Sequence, residues 1–214
     1  MAERRSSRAG KAPVAARDEI LEVALDRFSR LGFDGVSTAA IAQGVGISQS
    51  LILYHFETKE AMWRAAMERL FSRVGVRALV DQAAYKDLDI ANRLKVVLRR
   101  FVHTSARHPE LGRVILTEGT AGGARFDWLF ETWLKPSYSL YRQIFEEGIE
   151  AGVLKPHDPW LSMLAAHSAG AMLFNLAPLT ERLLGRSPFD AEVVERQADL
   201  LVDLMLNGLL RQPG

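Results

Sequence analysis

"STAAIAQGVGISQSLILYHF", residues 37–56, is the stretch that decides the fold. It opens on two hydroxyl residues suited to capping a helix N-terminus, breaks at Gly44-Val45-Gly46, and restarts at Ser48 with an apolar run that ends in Tyr54-His55-Phe56. The pattern predicts two short helices joined by a tight glycine turn, with Ser48 as the N-cap of the second. Ile47, Ile52, Leu53 and Phe56 are expected to clamp that second helix onto the first, leaving Ser48, Gln49 and Ser50 exposed at its start. Burial alone does not ask for two hydroxyls and an amide there. They are groups that read base edges: glutamine pairs bidentately with adenine N6 and N7, and serine donates or accepts.

Upstream, "DEILEVALDRFSRLG" (residues 18–32) repeats Ile20, Ala24, Phe28 and Leu31 on one helix face, with Leu21 and Leu25 beside them and Gly32 as the stop. Downstream, "ETKEAMWRAAMERLFSRV" (residues 57–74) predicts another long helix. A long helix followed by two short ones across a tight turn is the pattern of a helix-turn-helix, whose second short helix enters the major groove. The run "GFDGVSTAAIAQGVGISQSLILYHFETKEAMW" (residues 32–63) resembles the N-terminal DNA-binding domain of the TetR family of bacterial transcriptional regulators. The likeness extends over about residues 15–74 and holds without gaps across Gly32, Ser37, Ile41-Ala42, Gly46, Ser48, Phe56 and Lys59.

The resemblance implies that Ser37 and Thr38 at the start of helix two, His55 at the end of helix three and Lys59 in the first turn of helix four hold phosphates. Helix N-termini and a lysine supply the positive potential for this. Two departures stand out. Leu53 replaces the family's usual tyrosine, leaving Tyr54 one place later as its candidate substitute, and Ala39 and Ala40 replace side chains that are often charged. Packing at a helix end is the other reading of Tyr54 and His55. Residues 36–56 contain no Lys, Arg, Asp or Glu, so charge for DNA binding must come from the N-terminal arm (Arg4, Arg5, Arg8, Lys11, Arg17) and Lys59.

At 214 residues and 48% hydrophobic, the chain can bury a core in one or two domains. It has no cysteine, which excludes disulfides, thiolate metal sites and cysteine nucleophiles and suits a cytoplasmic protein. The basic N-terminus is not followed by the apolar segment of a secretory signal. Residues 159–180 lack Asp, Glu, Lys and Arg, but His167, Asn175, Ser162, Ser168 and Pro178 favour a buried helix over a membrane span. The net charge of +1 makes any basic footprint local.

Beyond residue 80 the periodicity predicts helices near 88–106, 109–121, 126–151, 158–184 and 191–211, with a kink at Pro136. The expected fold is therefore all-α: residues 1–14 a basic arm, 15–74 a helix-turn-helix DNA-binding domain, and 75–214 a helical effector-binding and dimerisation domain. Seven of the eighteen aromatic residues fall between Phe126 and Phe145, enough to nominate an apolar effector pocket. Trp128, Phe130, Trp133 and Tyr141 are its candidate walls, with His167 and Asn175 as polar contacts, and ordinary core is the alternative for each. The small residues Ala165, Ala166, Ser168, Ala169, Gly170 and Ala171, with the ridge Leu200, Leu201 and Leu204, are expected to form a homodimer seam, an intramolecular core being the alternative.

The five histidines show no metal spacing, and no glycine-rich phosphate loop or nucleophile elbow appears, so no catalytic residue, metal or cofactor is expected. The expected function is regulation: a dimer bound to double-stranded operator DNA and released by a small, largely apolar or aromatic ligand. The alternative is a ligand-binding helical dimer with weak or non-specific DNA binding.

Overall fold

The computed structural model describes residues 13–75, 85 and 87–209, with side chains from residue 17 onward. Glycine, proline and hydroxyl residues bound the elements as the sequence suggests. Helix α1 (Pro13–Leu31) is followed by α2 (Thr38–Val45), capped by Ser37, whose Oγ accepts from the Ala40 N–H at 3.1 Å. Gly46 closes α2 in the left-handed conformation at φ 79°, where a β-carbon would be strained. Ser48 caps α3 (Gln49–Phe56), and Thr58 caps α4 (Lys59–Val74) by accepting the Ala61 N–H at 3.0 Å.

The chain divides into two compact units, with the boundary inside α4 between Leu70 and Phe71. The first unit buries Ile20, Ala24 and Phe28 of α1 with Ile41 of α2, Ile52 and Phe56 of α3, and Met62, Trp63, Met67 and Leu70 of α4. Two residues depart from the sequence expectation. Leu31, the last residue of α1, is 57% exposed, and Leu53 is 45% exposed instead of clamping α3. At about 100° per residue, burying Ile52 and Phe56 turns Leu53 outward onto the face of Gln49, four residues back.

The second unit contains α5 (Ile90–Arg107), α6 (Pro109–Ala121), α7 (Ala124–Leu129), a π-helical turn (Phe130–Leu134), α8 (Lys135–Glu150), α9 (Pro159–Asn175), α10 (Ala177–Leu184) and α11 (Ala191–Leu209). Its core centres on Leu94, Val97, Leu98 and Val102 of α5, packed against Ile144 and Phe145 of α8, Met163, Ala166 and Phe174 of α9, and Val194, Ala198 and Leu201 of α11. Asp89 and Asp158 cap α5 and α9, accepting the N–H groups of Asn92 and Leu161 at 2.9 Å each. Among the described residues no helix is long and apolar enough to cross a membrane.

The helix expected over 126–151 is interrupted. Pro136 has no N–H to donate and crowds the carbonyl four residues back, and the chain widens just ahead of it: the Lys135 N–H donates to the Phe130 carbonyl, five residues away. The helix expected over 158–184 breaks at Leu176, two residues before Pro178. Gly170 also departs from its expected place in a dimer seam. It is buried within its own chain, where a β-carbon would stand 2.7 Å from Phe101 Cε1 and 2.9 Å from Leu201 Cδ2. The small side chains of α9 let α5 and α11 of the same chain approach closely. Ala165, Ser168 and Ala169 face outward, as do Leu161, Leu200 and Leu204.

Candidate functional site

In the first unit, α2 and α3 present a neutral polar face. Ser48, Gln49 and Ser50 are all exposed at the start of α3; the Ser48 and Ser50 hydroxyls share a hydrogen bond at 2.9 Å. Gln49 Nε2 donates to Thr38 Oγ1 of α2 at 2.9 Å, which fixes the side chain across the helix pair. That bond uses one N–H of an amide that has two, plus an oxygen, so Gln49 retains the donor and acceptor that adenine requires. Tyr54 is 79% exposed at the far end of α3, with the His55 ring edge-on to it at 5.4 Å.

After α3 the chain reverses through a γ-turn. Glu57 takes φ 55°, ψ −49°, and the Thr58 N–H donates to the Phe56 carbonyl. The turn starts α4 at Lys59, whose ammonium lies 4.1 Å from the centroid of the Phe33 ring. Of the basic arm, Arg4, Arg5, Arg8 and Lys11 lie outside the described residues, and the Arg17 guanidinium stands 5.1 Å over the Phe56 ring. Exposed Leu53 was missed by sequence reasoning; its signal is the four-residue step from Gln49.

The second unit holds two neighbouring cavities. The inner one, about 30 Å³, lies among α5, α8 and α9 and is walled by Leu94, Val97, Leu98, Phe101, Tyr141, Ile144, Phe145 and Met163. The outer one, about 260 Å³, is walled by Ile115 and Leu116 of α6, Phe126, Phe130 and Leu134 of α7 and the π turn, and Leu164, Met172 and Asn175 of α9. Tyr138 and His167 line both, and no Asp, Glu, Lys or Arg lines either. The Tyr138 hydroxyl lies 3.1 Å from His167 Nδ1, and the His167 ring meets Phe101 edge-on at 4.9 Å. Burial pulls His167 down to about 4 and pushes the Tyr138 and Tyr141 hydroxyls up, so all three are neutral near pH 7.

Of the residues nominated from sequence, Tyr141 stands at the inner cavity, Phe130 and Asn175 at the outer and His167 at both. Trp128 and Trp133 line neither. Trp133 instead stacks on Phe71 near the end of α4, with ring centroids 5.3 Å apart and planes 23° apart. Trp133 lies inside the π turn, whose wider winding rotates its side chains off a continuous α-helical projection. Tyr138 comes to the cavities in their place, and only its membership of the aromatic cluster signalled it.

The family described as "Bacterial regulatory proteins, tetR family" matches residues 20–66, and "Tetracyclin repressor-like, C-terminal domain" matches residues 87–214, more than half of the chain. The chain belongs to the TetR family. This TetR-family protein is a DNA-binding transcriptional regulator and not an enzyme; it works as a dimer on operator DNA and answers to a small-molecule effector. It is 24% identical to the HTH-type transcriptional regulator RutR of Escherichia coli (strain K12) over 199 residues, which cover 93% of this chain and 92% of that one. Its fold is similar to that of the ketosteroid transcriptional regulator KstR2 of Mycobacterium tuberculosis (TM-score 0.71, 19% identity, covering 92% of this chain and 95% of that one). It is also similar to AibR solved with isovaleryl coenzyme A and operator DNA (TM-score 0.66, 18% identity, covering 88% and 97%).

The buried imidazole gives the regulator a testable acid sensitivity. His167 binds a proton less readily folded, at about 4, than unfolded, at 6.5. Its contribution is therefore fully present above pH 6.5 and is lost as the pH falls from there towards 4, up to about 2–3 kcal/mol. In urea titrations over that range, wild type should lose about that much more stability than His167→Phe. Parallel losses in the two proteins would mean that His167 is protonated as easily folded as unfolded.

Proposed function

We propose that the regulator reads its operator through the outward face of α3. Gln49 contacts an adenine edge and Leu53 a thymine methyl, both groups lying on one helix face. Ser48 and Ser50 flank them. Ser37, Thr38, Tyr54, His55 and Lys59 lie against phosphates, where capped helix starts and a lysine complement negative charge. The observation that carries this reading is the exposed start of α3, an uncharged row of hydrogen-bonding side chains braced by the Gln49–Thr38 bond. The dimer is expected to set the two α3 helices in successive major grooves of cytoplasmic DNA, about 34–36 Å apart.

The effector occupies the outer cavity. Phe130 and Leu134, at the two ends of the π turn, wall that cavity, while Trp133 from the same turn stacks on Phe71 of α4. A ligand that repacks the turn therefore acts on α4, the helix that runs on from the reading head. It shifts operator occupancy only to the extent that it binds the released state more tightly. The seam between subunits is the outward stripe of α9 and α11: Leu161, Ala165, Leu200 and Leu204.

Sequencing the genomic fragments retained by the purified protein gives the operator. On it, Gln49→Ala is expected to lose about 1–3 kcal/mol of discrimination at one base pair per half-site. Lys59→Ala is expected to weaken binding to all DNA about equally. Uniform loss by both variants across a matrix of operator mutants would remove Gln49 from base reading. Retention of fragments with no common sequence would favour a non-specific DNA binder.

A further inference from the structure

Neither cavity alone suits a drug-sized molecule, since such sites run to roughly 300–1,000 Å³. The inner one holds little more than a water at about 30 Å³, and the outer one reaches about 260 Å³. They share two residues, Tyr138 of α8 and His167 of α9, which are hydrogen-bonded to each other at 3.1 Å. Turning Tyr138 aside would open a way between the two. The same movement strips a buried hydroxyl and a buried imidazole nitrogen of each other, which is unfavourable unless something replaces the bond.

A charged ligand finds no counter-ion anywhere on either wall and loses its hydration on entry. The polar groups on offer are neutral: Tyr138, Tyr141, His167, Ser168 and Asn175. We infer that the Tyr138–His167 pair is both the door between the chambers and the polar recognition point of the effector site, and that the effector is an uncharged, compact apolar molecule bearing a hydroxyl that takes the place of the pair's own bond. A hydroxyl both donates and accepts, so it serves whichever tautomer His167 adopts. The low proton affinity of His167 keeps the site uncharged over the physiological range. This inference rests on the effector site proposed above and adds the ligand's chemistry and the residues that select it.

The test is calorimetry on the full-length protein at pH 7 with three probes of one shape: 2-naphthol, naphthalene and 2-naphthoate. Wild type is expected to bind 2-naphthol about tenfold more tightly than naphthalene, and 2-naphthoate at least about a hundredfold more weakly than 2-naphthol. Tyr138→Phe and His167→Leu each leave one partner for the naphthol hydroxyl and are each expected to keep a preference for it, whereas combining the two removes both partners and is expected to bring the naphthol-to-naphthalene ratio near one. Binding of naphthalene by the combined variant guards against a folding defect.

A tenfold preference that survives the combined substitution overturns the door and recognition role. If binding in that case is still abolished by Leu164→Trp, which fills the outer cavity, the site itself stands. Binding of 2-naphthoate in preference to the neutral probes, or of none of the three, overturns the uncharged chamber as the effector site altogether.

Discussion

Gly170→Leu is expected to lower the unfolding free energy by at least about 3 kcal/mol, read as a fall in the urea midpoint without a change in slope. The cause is local. A bare β-carbon at this position already presses on the Phe101 ring and a Leu201 methyl, and a leucine must displace both within a packed core. Gly170→Ala supplies the contrast. It gains about 1 kcal/mol of helix propensity, and the atoms it meets are a ring edge and the end of a flexible side chain, so its net effect should stay within about 1 kcal/mol of wild type. A leucine variant as stable as wild type would mean that α9 does not rest on α5 and α11 as described.

Leu161→Glu combined with Leu204→Glu is expected to give a monomer in sedimentation and to weaken operator binding by at least about a hundredfold. Both leucines are exposed in the single chain, Leu161 at 67%, so the folded protomer should tolerate the change. In a two-fold interface each substituted residue meets the same patch of its partner, so the new carboxylates are desolvated near one another. A monomer then engages one half-site at a time and forfeits the advantage of linked binding, which runs to 10²–10⁴-fold for two joined modules by order of magnitude, roughly. An intact dimer carrying both charges would move the seam off this stripe.

How far the sequence discloses such a molecule depends on whether one regular period governs the segment. It does for the reading head: hydroxyl caps at Ser37 and Ser48, the Gly46 turn and the 3.6-residue period of α1 and α4 all appear in the structure where the residues indicate. Leu53 was misread because it sits in an unbroken apolar run, in which composition cannot say which residue faces out; only its register with buried Ile52 and Phe56 does. Trp133 was misread for a different reason. A projection carried straight through residues 126–141 assumes α geometry, and Trp133 lies within the π turn before Pro136, where that geometry does not hold.

Gly170 illustrates a third limit. A patch of small side chains says that some helix comes close, and the approaching helix has the same composition whether it belongs to the same chain or to a partner. Here Phe101 and Leu201 of the same chain fill that role. The cavities were legible only as a cluster of aromatic residues. Their walls come from α5, α6, α7, the π turn, α8 and α9, and it takes the packing of α8 on α9 to set Tyr138 beside His167.

The proposed reading face of α2 and α3 carries no Lys, Arg, Asp or Glu between residues 36 and 56. Counterions released on binding are therefore set by groups outside it, and these meet any duplex alike. Rising ionic strength then lowers the affinity for the operator and for unrelated DNA by the same factor. The ranking of sites along a chromosome stays fixed, and a cell that swells, shrinks or dries changes how much of the regulator is bound without changing which sites it prefers.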